Sequence, residues 1–295
     1  MIKLLLTLFT LLLLSCSSTS DLSGGSSRNS KKLTFQEYEE SIAEGLRLWK
    51  NRYRKSGILK FIEKFEDCAG ASEDYDSQIL SRYKIYERLA RAYYLLGYNH
   101  QKDLSKSKKS WQTGASWAEK ALYTNNKFKE AVGKYGEFTP ALSRVTDDQV
   151  GALYWYLANI GMWSKNSGVS TTLKYIKLIK SMIKRIAKTD PNYHYGGLDR
   201  YKGAYFAVLP SYAGGDIKKS RDHFIKSLRV GPEYLGTKVL YAMIYALKTK
   251  NKPLFKKLLT EVVESPPIHD PNIRAENLLE KKKASVLLKK LDDLF

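Results

Sequence analysis

The chain has few cysteines, far fewer acidic than basic residues, and few long apolar runs. Only Cys16 and Cys68 occur in 295 residues. Cys16 belongs to the N-terminal segment discussed below, so Cys68 has no internal disulfide partner. It reads as a small buried apolar side chain, in a fold held by its core and not by covalent staples. Past the N-terminus no stretch approaches the ~20 apolar residues of a membrane-spanning helix. Strand alternation bounded by hairpin turns is missing, which excludes a β-rich fold. The four histidines, His100, His194, His223 and His269, are scattered. None forms an HExxH pair or stands by a cysteine at metal-ligand spacing. A GxSxG elbow and a GxxxxGK phosphate loop are also missing. Asp67, Glu73, Asp74 and Asp76 read as a solvated loop. No cofactor, metal or enzymatic activity is expected.

Acidic residues are scarce in a patterned way. The chain has 30 Asp and Glu against 50 Lys and Arg, a net charge of +20, and residues 149–189 contain no acid. Within that gap Lys177, Lys180, Lys184 and Lys188 recur three or four apart and form one helical stripe. Such a stripe is either a solvated face or a surface that steers an acidic partner or meets anionic headgroups. In a cytosolic protein this charge would suggest nucleic acid, but the N-terminus argues for export and sets that partner aside.

The chain opens "MIKLLLTLFTLLLLSCSSTS". Lys3 is a short basic region, and the apolar run Leu4 to Leu14 has the form of a secretory signal. "LLSC" at 13–16 resembles the bacterial lipobox. Residues 1–15 are therefore expected to be a lipoprotein signal peptide, with Cys16 the site of lipid attachment. Residues 16–32 are rich in Ser and Gly and read as a flexible tether. The body, 33–295, reads as a single helical repeat domain. Ser17 gives no acidic retention signal, so by analogy with known lipoprotein sorting the expected anchor is the outer membrane and not the inner one.

Helical periodicity dominates the body. Thr34 and Glu37 make a capping box ahead of Phe35, Tyr38, Ile42, Leu46 and Trp49, with Leu33 placed to staple onto Tyr38. A second box, Thr146 and Gln149, is expected to start "VGALYWYLANIGMW". Tyr175, Ile176, Ile179, Met182, Ile183 and Ile186 form an apolar stripe opposite the lysines. Asp270 is expected to cap a last helix with Pro271 at its first position. The fold class is all-α, and several segments pair as tetratricopeptide-like helical hairpins, an α-solenoid. In residues 205–232, Ser220, Phe224 and Ser227 take the small, aromatic and small crossing positions, and Pro232 the terminal one. Pro191 closes the unit before, Ala118 and Ala121 mark an earlier one, and "TKVLYAMIYALKTKNKPLFKKLLTEVVESPP" is a degenerate fourth. The spacing from Pro191 to Pro232 exceeds the repeat period, and the excess lies in "AVLPSYAGG". Pro210, Gly214, Gly215 and Asp216 therefore form an inter-repeat turn carrying an insertion, with positive φ at a glycine and Asp216 as a cap.

Aromatic residues are abundant, with 21 Tyr and 5 Trp. Tyr154, Trp155 and Tyr156 are consecutive and cannot all face one side of a helix, so at least one is expected to face a groove, a cavity or solvent. Trp155, Trp163, Tyr195, Tyr205 and Tyr212 are the candidates for a hydrophobic ligand site.

"ALYWYLANIGMW", then "TDPNYHYGGLDRYKGAYFAVLPSYAGGDIKKSRDHFIKSL", "TKVLYAMIYA" and the terminal "LDDLF" resemble the T component of bacterial TRAP transporters, from about Thr34 to the C-terminus. The most specific piece is Leu209-Pro210 followed by Gly214-Gly215-Asp216. The Lys-rich 174–189 helix departs from the family pattern. The resemblance implies a periplasmic lipoprotein accessory to the substrate-binding P component, with a pore for a hydrophobic molecule and a trimeric assembly. Two other readings stay open at this point: a helical-repeat scaffold for envelope assembly, and a basic module for lipid headgroups.

Overall fold

The computed structural model describes residues 32–295. The signal peptide expected over 1–15, Cys16, and all of the tether except Lys32 lie outside the described residues. Among the described residues there is no strand, and no helix is long and apolar enough to cross a membrane. The helices in chain order are α1 (Phe35–Trp49), α2 (Lys55–Ala71), α3 (Arg82–Leu95), α4 (Leu104–Tyr123), α5 (Asn126–Tyr135), α6 (Phe138–Ala141), α7 (Val150–Ser167), α8 (Val169–Thr189), α9 (Tyr193–Val208), α10 (Ile217–Val230), α11 (Gly236–Tyr241), α12 (Lys252–Glu264), α13 (Arg274–Lys289) and α14 (Leu291–Leu294). Two π-helical turns, Leu96–His100 and Ala242–Ala246, extend α3 and α11.

Local chemistry sets many of the starts. Thr34 and Glu37 exchange cap hydrogen bonds at α1. Asp103, Asn125 and Asn251 accept backbone N–H bonds at the starts of α4, α5 and α12. Each satisfies amide groups that have no partner within the helix. Two starts differ from the sequence expectation. α7 begins at Val150, after a 3₁₀ turn over Asp147–Gln149. The Thr146 hydroxyl bonds the Gln149 side chain at 3.2 Å, and that side chain also accepts from Asn125 at 2.6 Å, so tertiary contacts replace the expected box. α13 begins at Arg274, one turn later than Asp270-Pro271 suggests. Asp270 caps a preceding turn instead, accepting from the Asn272 N–H at 2.9 Å.

The helices pack as consecutive hairpins. In the tightest, α9–α10, Ser220 Oγ donates to the Gly203 carbonyl at 2.7 Å and Ser227 Oγ to the Gly196 carbonyl at 2.9 Å. The Phe224 ring covers Gly203 so closely that a Cβ there would lie 2.7 Å from it. The junction between the two helices is Pro210, a 3₁₀ turn over Ser211–Ala213, Gly214 at φ 97°, Gly215, and Asp216 accepting from the Lys218 and Lys219 amides at 3.0 Å each. α7 runs through the middle, against α3, α4, α8 and α9. Every residue from Val150 to Ile160 is buried. Tyr154, Trp155 and Tyr156 are therefore all largely buried, because α7 has protein on every side, and Tyr154 faces the cavity described below, one of the surroundings expected for this cluster. On α8 the sides separate as the pattern requires: Tyr175, Ile179, Met182 and Ile186 face inward, and Lys177, Lys180, Lys184 and Lys188 are exposed.

The last long helix returns to the first ones. Glu276 of α13 accepts from Arg52, in the loop before α2, at 2.7 and 3.1 Å, and from Arg91 of α3 at 2.6 Å. Arg52 and Glu276 are 1% and 2% exposed. Arg52 and Arg91 also donate to the Asn272 carbonyl. The array is thus closed on itself through one carboxylate shared by two guanidinium groups.

Candidate functional site: a tyrosine-walled cavity

Close helix approach builds the site. Along α7, Tyr154, Ala158, Gly161, Met162 and Lys165 fall on one face at helical spacing. The small residues leave room, and the Tyr201 ring of α9 lies over Gly161, 2.7 Å from where a Cβ would stand. Between α7, α8, α9 and the π-helical turn after α11 is a cavity of about 100 Å³ that opens to solvent. α9 contributes Arg200, Tyr201, Tyr205 and Val208, α8 contributes Thr172 and Ile179, and Leu240 and Ile244 close the far wall. Tyr94 of α3 also reaches it.

Arg200 lies at the buried end and is 6% exposed. It donates to Tyr154 Oη at 3.0 Å, Thr237 Oγ1 at 3.2 Å, and the His194 and Tyr195 carbonyls at 3.1 and 3.2 Å. Its guanidinium also covers the Tyr234 ring at 4.2 Å. His194, Tyr195 and Gly196 have φ of 53°, 57° and 69°, a left-handed turn that costs non-glycine residues about 1–2 kcal/mol each. Arg200 ties the first two carbonyls of that turn. Burial, with Arg91, Arg200 and Arg52 nearby, holds His194 well below the usual histidine range, so it stays neutral. Lys165 is exposed, which puts it at the mouth, and the protein around it displaces enough water to lower its pKa.

Of the five aromatic candidates, Tyr205 lines the cavity, and its buried hydroxyl has no partner among the described residues. Trp155 packs behind the wall, between Tyr94, Tyr154 and His194. Trp163 stands edge-on to Tyr175 at 5.3 Å, and Tyr195 stacks on Tyr234 while donating to Asp270. Tyr212, 80% exposed, projects from the inserted turn. Arg200, Tyr201 and Lys165 were not singled out by sequence reasoning. The available signal was the stripe Tyr154, Ala158, Gly161, Lys165, small residues on one face of an otherwise bulky helix. Among the described residues, none of the four stripe lysines on α8 has an ion-pair partner.

No curated protein matches the sequence. A family model for the TRAP transporter T-component matches residues 97–295, from within the first π-helical turn to the C-terminus, and so takes in the inserted turn and all of the cavity except Tyr94. The match starts later than the resemblance from Thr34 suggests and leaves out α1–α3, but it covers more than half of the chain, which therefore belongs to the TRAP transporter T-component family.

Proposed function

We propose that this chain is a periplasmic lipoprotein, anchored through Cys16, that docks the substrate-binding P component of its TRAP transport system and holds a largely apolar ligand in the tyrosine-walled cavity. The observation that carries the ligand part is the cavity itself. It is a mostly apolar space with a few convergent polar groups, the form that small-molecule sites take, and apart from Tyr94 it lies within the stretch that matches the family. Helical-hairpin arrays also offer extended surfaces for protein partners. The α8 lysines and a net charge of +20 favour approach of an acidic partner.

The test of docking is analytical ultracentrifugation of the unlipidated body with the purified P component at tens of micromolar, at low and high salt. A complex weakened by salt is the expected outcome. A complex that ignores salt keeps the partner but removes the lysine stripe from the account. Failure to associate, with and without ligand, favours an envelope scaffold instead. For the anchor, Cys16→Ser is expected to move the protein from the detergent phase to the soluble periplasmic fraction, because the Ser/Gly tether has no apolar surface of its own. Retention in the detergent phase refutes it.

A further inference from the structure

Resting on the cavity reading above, the geometry points to a ligand of one chemical class: an elongated apolar molecule with a single anionic group, its charged end held at Arg200. The lining contains two cations, Arg200 at the buried end and Lys165 at the mouth, and among the described residues no Asp or Glu. Arg200 is buried, and among the described residues its hydrogen bonds go to neutral oxygens. Of the buried carboxylates nearby, Glu276 is engaged by Arg52 and Arg91, and Glu280, 3.8 Å from Lys283 and pushed towards its neutral form by burial, feels the charge of Arg200 without hydrogen-bonding to it. A buried cation with no carboxylate hydrogen-bonded to it is costly, and the low surrounding dielectric makes an arriving anion correspondingly favourable. Tyr154 Oη accepts from Arg200 and keeps its own proton to donate, and the Tyr205 hydroxyl is a further donor with no partner among the described residues.

The dimensions fit the same class. Tyr154, which touches Arg200, and Lys165 are eleven residues apart on α7, about 16 Å at 1.5 Å per residue. Between them the walls are apolar: Met162, Ile179, Val208, Leu240 and Ile244. A neutral apolar ligand would leave Arg200 without a direct ion-pair partner, and a cationic one would be repelled at both ends. Lys165 at the mouth attracts the anion as it enters.

Titration calorimetry of the unlipidated protein with decanoate and with 1-decanol, below their aggregation limits, tests this. Decanoate is expected to bind about tenfold more tightly or better, since one compensated buried charge exceeds 1.4 kcal/mol. Lys165→Met and Arg200→Gln are each expected to lower the ratio of decanoate to decanol affinity. The ratio is the readout because Arg200→Gln also disturbs the left-handed turn, and a purely structural loss would weaken both ligands alike. Ile244→Trp, which fills the cavity, is expected to abolish both. Equal binding of acid and alcohol overturns the anionic class and leaves the cavity as a ligand site. A ratio unchanged in both charge variants also overturns it. Decanoate binding that survives Ile244→Trp overturns the location, and binding of neither ligand removes the cavity reading as well.

Discussion

Single side chains set opposite pH dependences in this fold. Burial alone would push the Glu276 carboxyl up, but the Arg91 and Arg52 guanidinium groups outweigh it and hold Glu276 below the usual range. Its contribution to stability is therefore present above the ordinary glutamate pKa of about 4.3 and is lost as pH falls through the lower folded value. Glu276→Gln leaves the buried Arg52 and the partly buried Arg91 without an anion and is expected to cost about 3–5 kcal/mol at neutral pH, read from urea unfolding. A loss below 1 kcal/mol would mean the node is solvated. Glu119 runs the other way. Burial pushes its carboxyl up to about 7. A carboxyl raised in the folded state favours the fold at low pH, and that advantage disappears as pH rises from about 4 to 7. Glu119→Gln is expected to raise the melting temperature at pH 7.5 and to leave it nearly unchanged at pH 4. Equal shifts at both pH values would refute the assignment. Cys68, pushed up to about 12 mainly by burial, is chemically quiet, in line with the apolar role read from the sequence.

Among the elements, the α9–α10 junction gives the sharpest expectation. Asp216→Ala removes two cap hydrogen bonds and should destabilise by about 0.5–2 kcal/mol. Gly215→Ala should cost more than Gly214→Ala. The first places a Cβ 2.0 Å from the Leu209 carbonyl oxygen, whereas the second strains only its own backbone at φ 97° with open space around it. Chemical denaturation of the three variants checks the order. This junction was legible in the sequence because its causes are local: proline, glycine and a capping aspartate within seven residues. The hairpin crossing at Ser220, Phe224 and Ser227 was legible for the same reason. The start of α7 was not, because Gln149 is drawn off by Asn125, 24 residues earlier. The burial of Tyr154, Trp155 and Tyr156 was not legible either. Their spacing says they point in three directions, and only the packing shows that all three directions are interior. The cavity was half legible: the aromatic-rich segments bracket it, but Arg200 looks like any helical arginine until its neighbours are known.

For the whole molecule, the chain is a helical-repeat array whose ends meet. Open arrays of repeats are stabilised by nearest-neighbour contacts and lose stability one unit at a time. Here α13 is tied to α3 and to the loop before α2 by buried charge. The α9–α10 and α3–α4 hairpins and the packed α4–α7 pair therefore lie between two points of the chain that are joined through α13.

That closure has a temporal side. Glu276 follows Arg52 by 224 positions. During synthesis the two arginines emerge long before the carboxylate that neutralises them, and the N-terminal helices cannot bury that surface until almost the entire polypeptide is out. A nascent chain of this protein remains open until its final stretch arrives, and premature termination just ahead of α13 yields an unfinished molecule, not a shorter working one.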